Sequence, residues 1–143
     1  MKLSIAVAVF LNAICGLFFQ GVHEGTFFES CGIADLITTC YGGRNRKCAE
    51  EFAKRRSKLA YLEAESCNNL WSTIENEILN GQKLQGTLAA KEVYNLLKVR
   101  NLLHVFPLMT AIYEISFEGK SVSTITDGIK THIETANSPL SKI

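Results

Sequence analysis

Across 143 residues, 47% of side chains are hydrophobic and 20% are charged, with fifteen basic residues against fourteen acidic ones. That supplies one apolar core, hardly two, and is too apolar for a disordered tail. A net charge of +1 gives no single-sign field for nucleic acid or an anionic membrane, and the ten glycines nowhere take the G-x-G-x-x-G spacing of a dinucleotide-binding turn.

The chain opens with Met1-Lys2 and an uncharged stretch from Leu3 to Phe19. This is the layout of a secretory signal peptide, with a cut after Cys15 or Gly16, and equally that of a buried helix; periodicity does not separate the two. It is short for a membrane span and lacks flanking anchors, so no transmembrane helix is expected. Cys31, Cys40, Cys48 and Cys67 would survive such a cut and allow two disulfides in three connectivities, or sit as free core thiols in a reducing compartment. No C-x-x-C occurs and His23, His104 and His132 are scattered, so no metal site is expected.

Helices follow in series. Ile33, Leu36, Ile37 and Cys40 share one face and Asp35, Thr38 and Thr39 the other, which predicts an amphipathic helix ending at Gly42-Gly43. A second helix is expected from about Lys47 through Phe52 and beyond. A third is signalled by Ser72-Thr73-Ile74-Glu75 as a capping box and stopped by Asn80-Gly81. A fourth runs from near Thr87, through Val93, Leu96 and Leu97, to Asn101. Pro107 opens a fifth, with Leu108, Ala111, Ile112 and Ile115 as its stripe before Gly119. Sustained two-residue alternation is absent, so the fold class is all-α.

Charge is uneven. Arg44 to Lys58 holds seven basic and two acidic residues, and Leu59 to Gln82 four acidic and no basic ones. Solvated helix faces explain this adequately. A sharper alternative lies in Gly42-Gly43-Arg44-Asn45-Arg46-Lys47, where two glycines would free the backbone ahead of a helix whose first amides favour an anion. A guanidinium there adds a two-pronged grip on phosphate. The run from Asn80 to Gly86, with Lys83, Gln82 and Gln85 between paired glycines, is either a binding loop or a plain connection. Asp35 and Thr39, four residues apart, point the same way from their helix.

These motifs together resemble a known family. The run TFFESCGIADLITTCYGGRNRK, from Thr26 to Lys47, is similar almost without interruption to the substrate-domain signature of the NAD-dependent glycerol-3-phosphate dehydrogenases. Leu79 to Gly86 resembles that family's second characteristic loop, and Phe106-Pro107-Leu108 through Phe117-Glu118-Gly119 its closing helix. The resemblance extends from about Leu17 to about Val122.

It implies the helical carboxy-terminal substrate domain of a cytosolic oxidoreductase that interconverts dihydroxyacetone phosphate and sn-glycerol 3-phosphate with NAD. Arg44 and Asn45 match the pair that holds the substrate phosphate. Asp35 and Thr39 match polar residues beside the catalytic lysine. Lys83 and Gln85, with Arg44, match residues directed at the cofactor. The glycine-rich cofactor turn and the catalytic lysine lie upstream in the family and have no counterpart here, so the 143 residues are expected to be silent alone. A homodimer is expected of the full-length family, with neither nucleic acid nor membrane as partner.

Three regions are therefore expected: an apolar segment at 1–22, a truncated family helix or a signal; a substrate-binding domain at 23–136; and a loose tail at 137–143. The stretch near 57–71, with Cys67 and Trp71, departs from the family as an insertion about a dozen residues long. The alternative to a dehydrogenase domain in the cytoplasm is a non-catalytic, secreted helical protein that binds phosphate or a partner.

Overall fold

The computed structural model describes residues 15–16, 19–58 and 64–126, and every regular element among them is helical. The tail at 137–143 and the start of the apolar segment, 1–14, lie outside the described residues. The chain divides into two compact units, Met1–Lys47 and Cys48–Ile143.

In the first unit a short 3-10 turn, Glu24–Phe28, leads through a π-helical turn, Ser30–Ala34, into helix α1, Asp35–Gly42. The apolar stripe predicted here is helical, but it is not buried: Ile33 and Leu36 are half-buried, while Ile37 and Cys40 are exposed. An eight-residue helix packed on one neighbouring turn has too little partner surface to cover that face. Helix α2, Arg44–Ser57, starts three residues earlier than its apolar pattern suggests; its first turn is counted with this unit and the remainder, from Cys48, with the second.

The second unit continues with α3, Ala64–Leu79; α4, Gln85–Val99; α5, Pro107–Phe117; and a closing 3-10 turn, Val122–Thr124. Helix α5 packs on both α3 and α4. Cys48 and Phe52 of α2 meet Cys67, Trp71 and Ile74 of α3, Leu84, and Ile115 and Phe117 of α5 in one buried cluster. Steps of four and three residues put the α2 and α3 members on single helix faces, and each large apolar side chain so buried contributes about 1.5–3 kcal/mol. Tyr94 stacks on Tyr113 with ring centroids 3.7 Å apart, extending the packing between α4 and α5.

Ser72 to Glu75 do not form a capping box, because α3 begins eight residues earlier, at Ala64. Thr73 instead donates its hydroxyl to the Asn69 carbonyl at 2.9 Å, the bond of a mid-helix threonine. The expected stop at Asn80-Gly81 is real: φ is 51° at Asn80 and 81° at Gly81, a left-handed pair that cannot continue a helix. Of the stretch expected as an insertion, 57–71, residues 64–71 are the first two turns of α3 and bring Cys67 and Trp71 into the core. Helix α4 starts at Gln85, two residues before Thr87, whose hydroxyl donates to the Leu84 carbonyl at 2.7 Å. Pro107 occupies the first turn of α5, as its missing N–H suits.

The carboxy-terminal end of α5 is tied down from two other helices. Trp71 Nε1 donates to the Ser116 carbonyl at 3.0 Å, and Arg56 Nη2 donates to the carbonyls of Gly119 at 2.7 Å and Lys120 at 3.2 Å. A cation at a helix carboxy terminus also answers its dipole. Arg56, which the sequence groups with a solvated basic face, is in fact buried.

Candidate functional site

The predicted site residues fall into two groups, one in each unit. The first is the corner between α1 and α2. Asp35 opens α1, and Thr39 stands one turn further along the same helix. The Thr39 carbonyl accepts the Gly43 N–H at 2.9 Å, closing the end of α1. Gly43 has φ −67° and ψ 151°, an ordinary extended conformation that any residue adopts, so the glycine is not there for backbone freedom. Space is the reason. A Cβ at Gly43 would lie 2.6 Å from the Thr39 carbonyl oxygen and 2.8 Å from its Cγ2, whereas one at Gly42 would meet nothing within 4 Å.

The corner is locked from its far side by Arg46, which donates Nη1 to the Tyr41 carbonyl at 2.8 Å. The first intrahelical bond of α2 runs from the Lys47 N–H to the Gly43 carbonyl at 3.2 Å. Arg44 and Asn45 therefore stand side by side, exposed, on the opening turn of a fourteen-residue helix. A guanidinium, a carboxamide and a helix amino terminus at one place form a donor set for an anion with several oxygens.

The second group is the turn between α3 and α4. Lys83 is largely exposed but already partnered: its ammonium lies 2.7 Å from Glu75 Oε2. Glu75 is buried, and its other oxygen accepts the Leu84 N–H at 3.0 Å, one residue ahead of α4. Burial alone would raise the Glu75 carboxyl; the bonds from Lys83 and Leu84 and the Lys83 charge outweigh it and hold the group below the ordinary carboxylate value. Gln85 is exposed on the first turn of α4. Glu75 and Arg46 are the residues that sequence reasoning missed. Glu75 was hidden by its apparent capping-box spacing, and Arg46 by its place in a basic run.

No group of histidine, cysteine or acidic side chains among the described residues could hold a metal ion, and no helix among them is long and apolar enough to cross a membrane. The donor groups fit phosphate. They do not form a cradle for a whole dinucleotide, since no strand leads to a glycine-rich turn among the described residues.

A family model described as the NAD-dependent glycerol-3-phosphate dehydrogenase C-terminus matches residues 10–127. The chain belongs to this family. A glycerol-3-phosphate dehydrogenase 1-like protein of Danio rerio is 50% identical over 115 residues, 80% of this chain and 29% of its own length. The human cytoplasmic glycerol-3-phosphate dehydrogenase [NAD(+)] is 45% identical over 123 residues, 85% of this chain and 32% of its own length. Among solved structures, the glycerol-3-phosphate dehydrogenase of Plasmodium falciparum aligns with a TM-score of 0.72 at 40% identity, over 85% of this chain and 31% of that one. The dehydrogenase of Dunaliella salina aligns with a TM-score of 0.76 at 35% identity, over 94% of this chain and 22% of that one. The chain thus spans about a third of the length of the curated relatives it matches. It is a helical carboxy-terminal domain of a NAD-dependent glycerol-3-phosphate dehydrogenase, an oxidoreductase family.

Proposed function

We propose that these residues form the substrate-gripping part of a dehydrogenase that interconverts dihydroxyacetone phosphate and glycerol 3-phosphate in the cytoplasm. The observation that carries this is the α1–α2 corner, where Gly43 packed against Thr39 and Arg46 bonded to Tyr41 present Arg44 and Asn45 together at a helix start. Arg44 and Asn45 bind the substrate phosphate. Asp35 and Thr39 orient a lysine that these residues do not contain. A carboxylate beside that ammonium keeps it charged, ready to protonate the substrate's carbonyl oxygen. NAD, when bound, would supply the hydride chemistry; the family resemblance gives Lys83, Gln85 and Arg44 as the residues directed at it. Without the glycine-rich turn and that lysine, the 143 residues do not turn over dihydroxyacetone phosphate. Assembly of the complete enzyme as a homodimer rests on the family resemblance.

The test is ligand-detected NMR with glycerol 3-phosphate. With one wall of the site present, the expected Kd is on the order of millimolar, about 4 kcal/mol of binding. A charged hydrogen-bonding group contributes roughly 1.5–3 kcal/mol, so Arg44→Ala removes most of the signal. Arg44→Lys restores only part, because an ammonium loses the planar two-pronged geometry. The control is Lys54→Ala, whose ammonium is exposed and paired with Glu50 one turn away; Arg56 would be a poor control because it anchors α5. Equal weakening by Arg44→Ala and Lys54→Ala would reveal a diffuse basic surface and overturn the assignment.

A further inference from the structure

Glu75 holds the turn that follows its own helix at three points. Its carbonyl accepts the Gly81 N–H at 3.1 Å, Oε1 accepts the Leu84 N–H at 3.0 Å, and Oε2 meets the Lys83 ammonium at 2.7 Å. A carboxylate buried to this degree without partners would be costly; here each oxygen has a donor, and both donors belong to one short turn. The opposite ends of the arrangement differ sharply in exposure. Glu75 keeps 7% of its side-chain surface, while Lys83 keeps 69% of its own. The buried partner is fixed by the packing of α3 around it, and the exposed partner is thereby held at a set place and direction on the surface.

We infer that Glu75 is the positioning residue for Lys83, presenting its ammonium and the start of α4 together to the diphosphate of the nicotinamide cofactor. This rests on the proposed contact of Lys83 with that cofactor, whose diphosphate is its one strongly anionic part. A long lysine free to sample its rotamers loses side-chain entropy when a ligand immobilises it, and a counter-ion that has already fixed its direction lowers that loss. Glu75 keeps the Leu84 N–H while Lys83 shares its three donors between the carboxylate and the phosphate oxygens.

Charge and position make opposite predictions, which gives the test its power. Removing a negative charge near an anion site strengthens anion binding by simple electrostatics; removing a positioning group weakens it. The experiment titrates inorganic pyrophosphate into the full 143-residue chain and follows the backbone amide resonances of Gly81 to Gly86, so that binding elsewhere is not counted. Glu75→Gln, which can still accept from Leu84 but loses the ion pair, is expected to weaken binding about threefold to tenfold, a change of about 0.7–1.4 kcal/mol. Glu75→Asp, one methylene shorter, weakens it too although the charge is kept. Glu77→Gln removes an acidic group that pairs with Arg55 and does not touch the turn, and leaves binding unchanged or slightly stronger.

Tighter binding by Glu75→Gln would show that the carboxylate competes with the anion, overturning the positioning role while leaving Lys83 as an anion contact. Unchanged binding by Lys83→Met would instead remove the Lys83 contact itself, and the inference with it. Hydrogen exchange on the wild-type chain stands independent of any variant's folding: the Leu84 amide is expected to be protected well beyond the neighbouring amide of Lys83. Equal exchange at both would overturn the latch.

Discussion

The indole of Trp71 lies flat on the ring of Phe52, centroids 4.1 Å apart and planes within 6°, while its N–H reaches the Ser116 carbonyl at 3.0 Å. One side chain thus joins α2, α3 and the end of α5. Trp71→Ala is expected to cost about 3–5 kcal/mol, as loss of a large core ring does. Trp71→Phe keeps most of the stacking and strands the carbonyl, costing about 1–2 kcal/mol. Urea unfolding followed by far-ultraviolet circular dichroism measures both. A loss below about 1 kcal/mol for Trp71→Ala would contradict this packing.

The two adjacent glycines of the α1–α2 corner should respond differently to the same change. Gly43→Ala forces a Cβ against the Thr39 carbonyl and Cγ2, so the corner must open, at about 1–3 kcal/mol. Glycerol 3-phosphate binding at Arg44 and Asn45 should weaken with it. Gly42→Ala has open space and is expected to leave both melting temperature and binding near the wild type. Equal effects of the two substitutions would remove the steric explanation.

What was legible in the sequence followed from chemistry local in the chain. The stop at Asn80-Gly81 and the Pro107 start need only a few neighbouring residues, and both sit where expected. The start of α2 was not legible, because its opening turn is polar; the start of α3 was missed although Cys67, Trp71 and Ile74 already keep helical spacing, because Ser72 to Glu75 imitate a capping box further along. Nor could spacing reveal Arg56 as buried, since its partners at Gly119 and Lys120 lie more than sixty residues away. The Thr26 to Lys47 signature marked Arg44 and Asn45 directly. The groups that hold the two turns in place, Arg46 and Glu75, became visible only with the backbone carbonyl and the ammonium that each one meets.

The Glu75 carboxyl links the turn before α4 to acidity. Its folded value lies below the ordinary 4.5, because the Lys83 and Leu84 bonds outweigh the opposing effect of burial. Stabilisation from this group is therefore complete above about pH 4.5, where the unfolded chain is also ionised, and is lost as pH falls through the lower folded value. The Arg55 guanidinium lowers Glu77 in the same direction. Urea midpoints measured between pH 7 and pH 3 should be level at first and fall steeply below about pH 4.5, with a shallower fall in Glu75→Gln. Identical profiles for wild type and variant would show that Glu75 does not contribute to the acid transition.

Thiol reactivity should sort the cysteines by position. Cys15, Cys40, Cys48 and Cys67 are all free, but Cys40 is exposed on α1 whereas Cys48 and Cys67 have no accessible surface. Burial, aided by the nearby Glu75 charge, also pushes the Cys48 thiol up, which reduces the thiolate that reacts. At pH 7.5 a maleimide is expected to modify Cys40 within the mixing period, and Cys48 and Cys67 only at the rate of global unfolding. Peptide mapping after timed labelling in native buffer and in 6 M guanidinium chloride, about twice the midpoint of an ordinary domain, separates access from oxidation. Labelling of Cys48 as fast as Cys40 in native buffer would mean that the contact of α2 with α3 opens readily, and the shared core of Phe52, Trp71 and Ile74 would then have to be looser than its packing indicates.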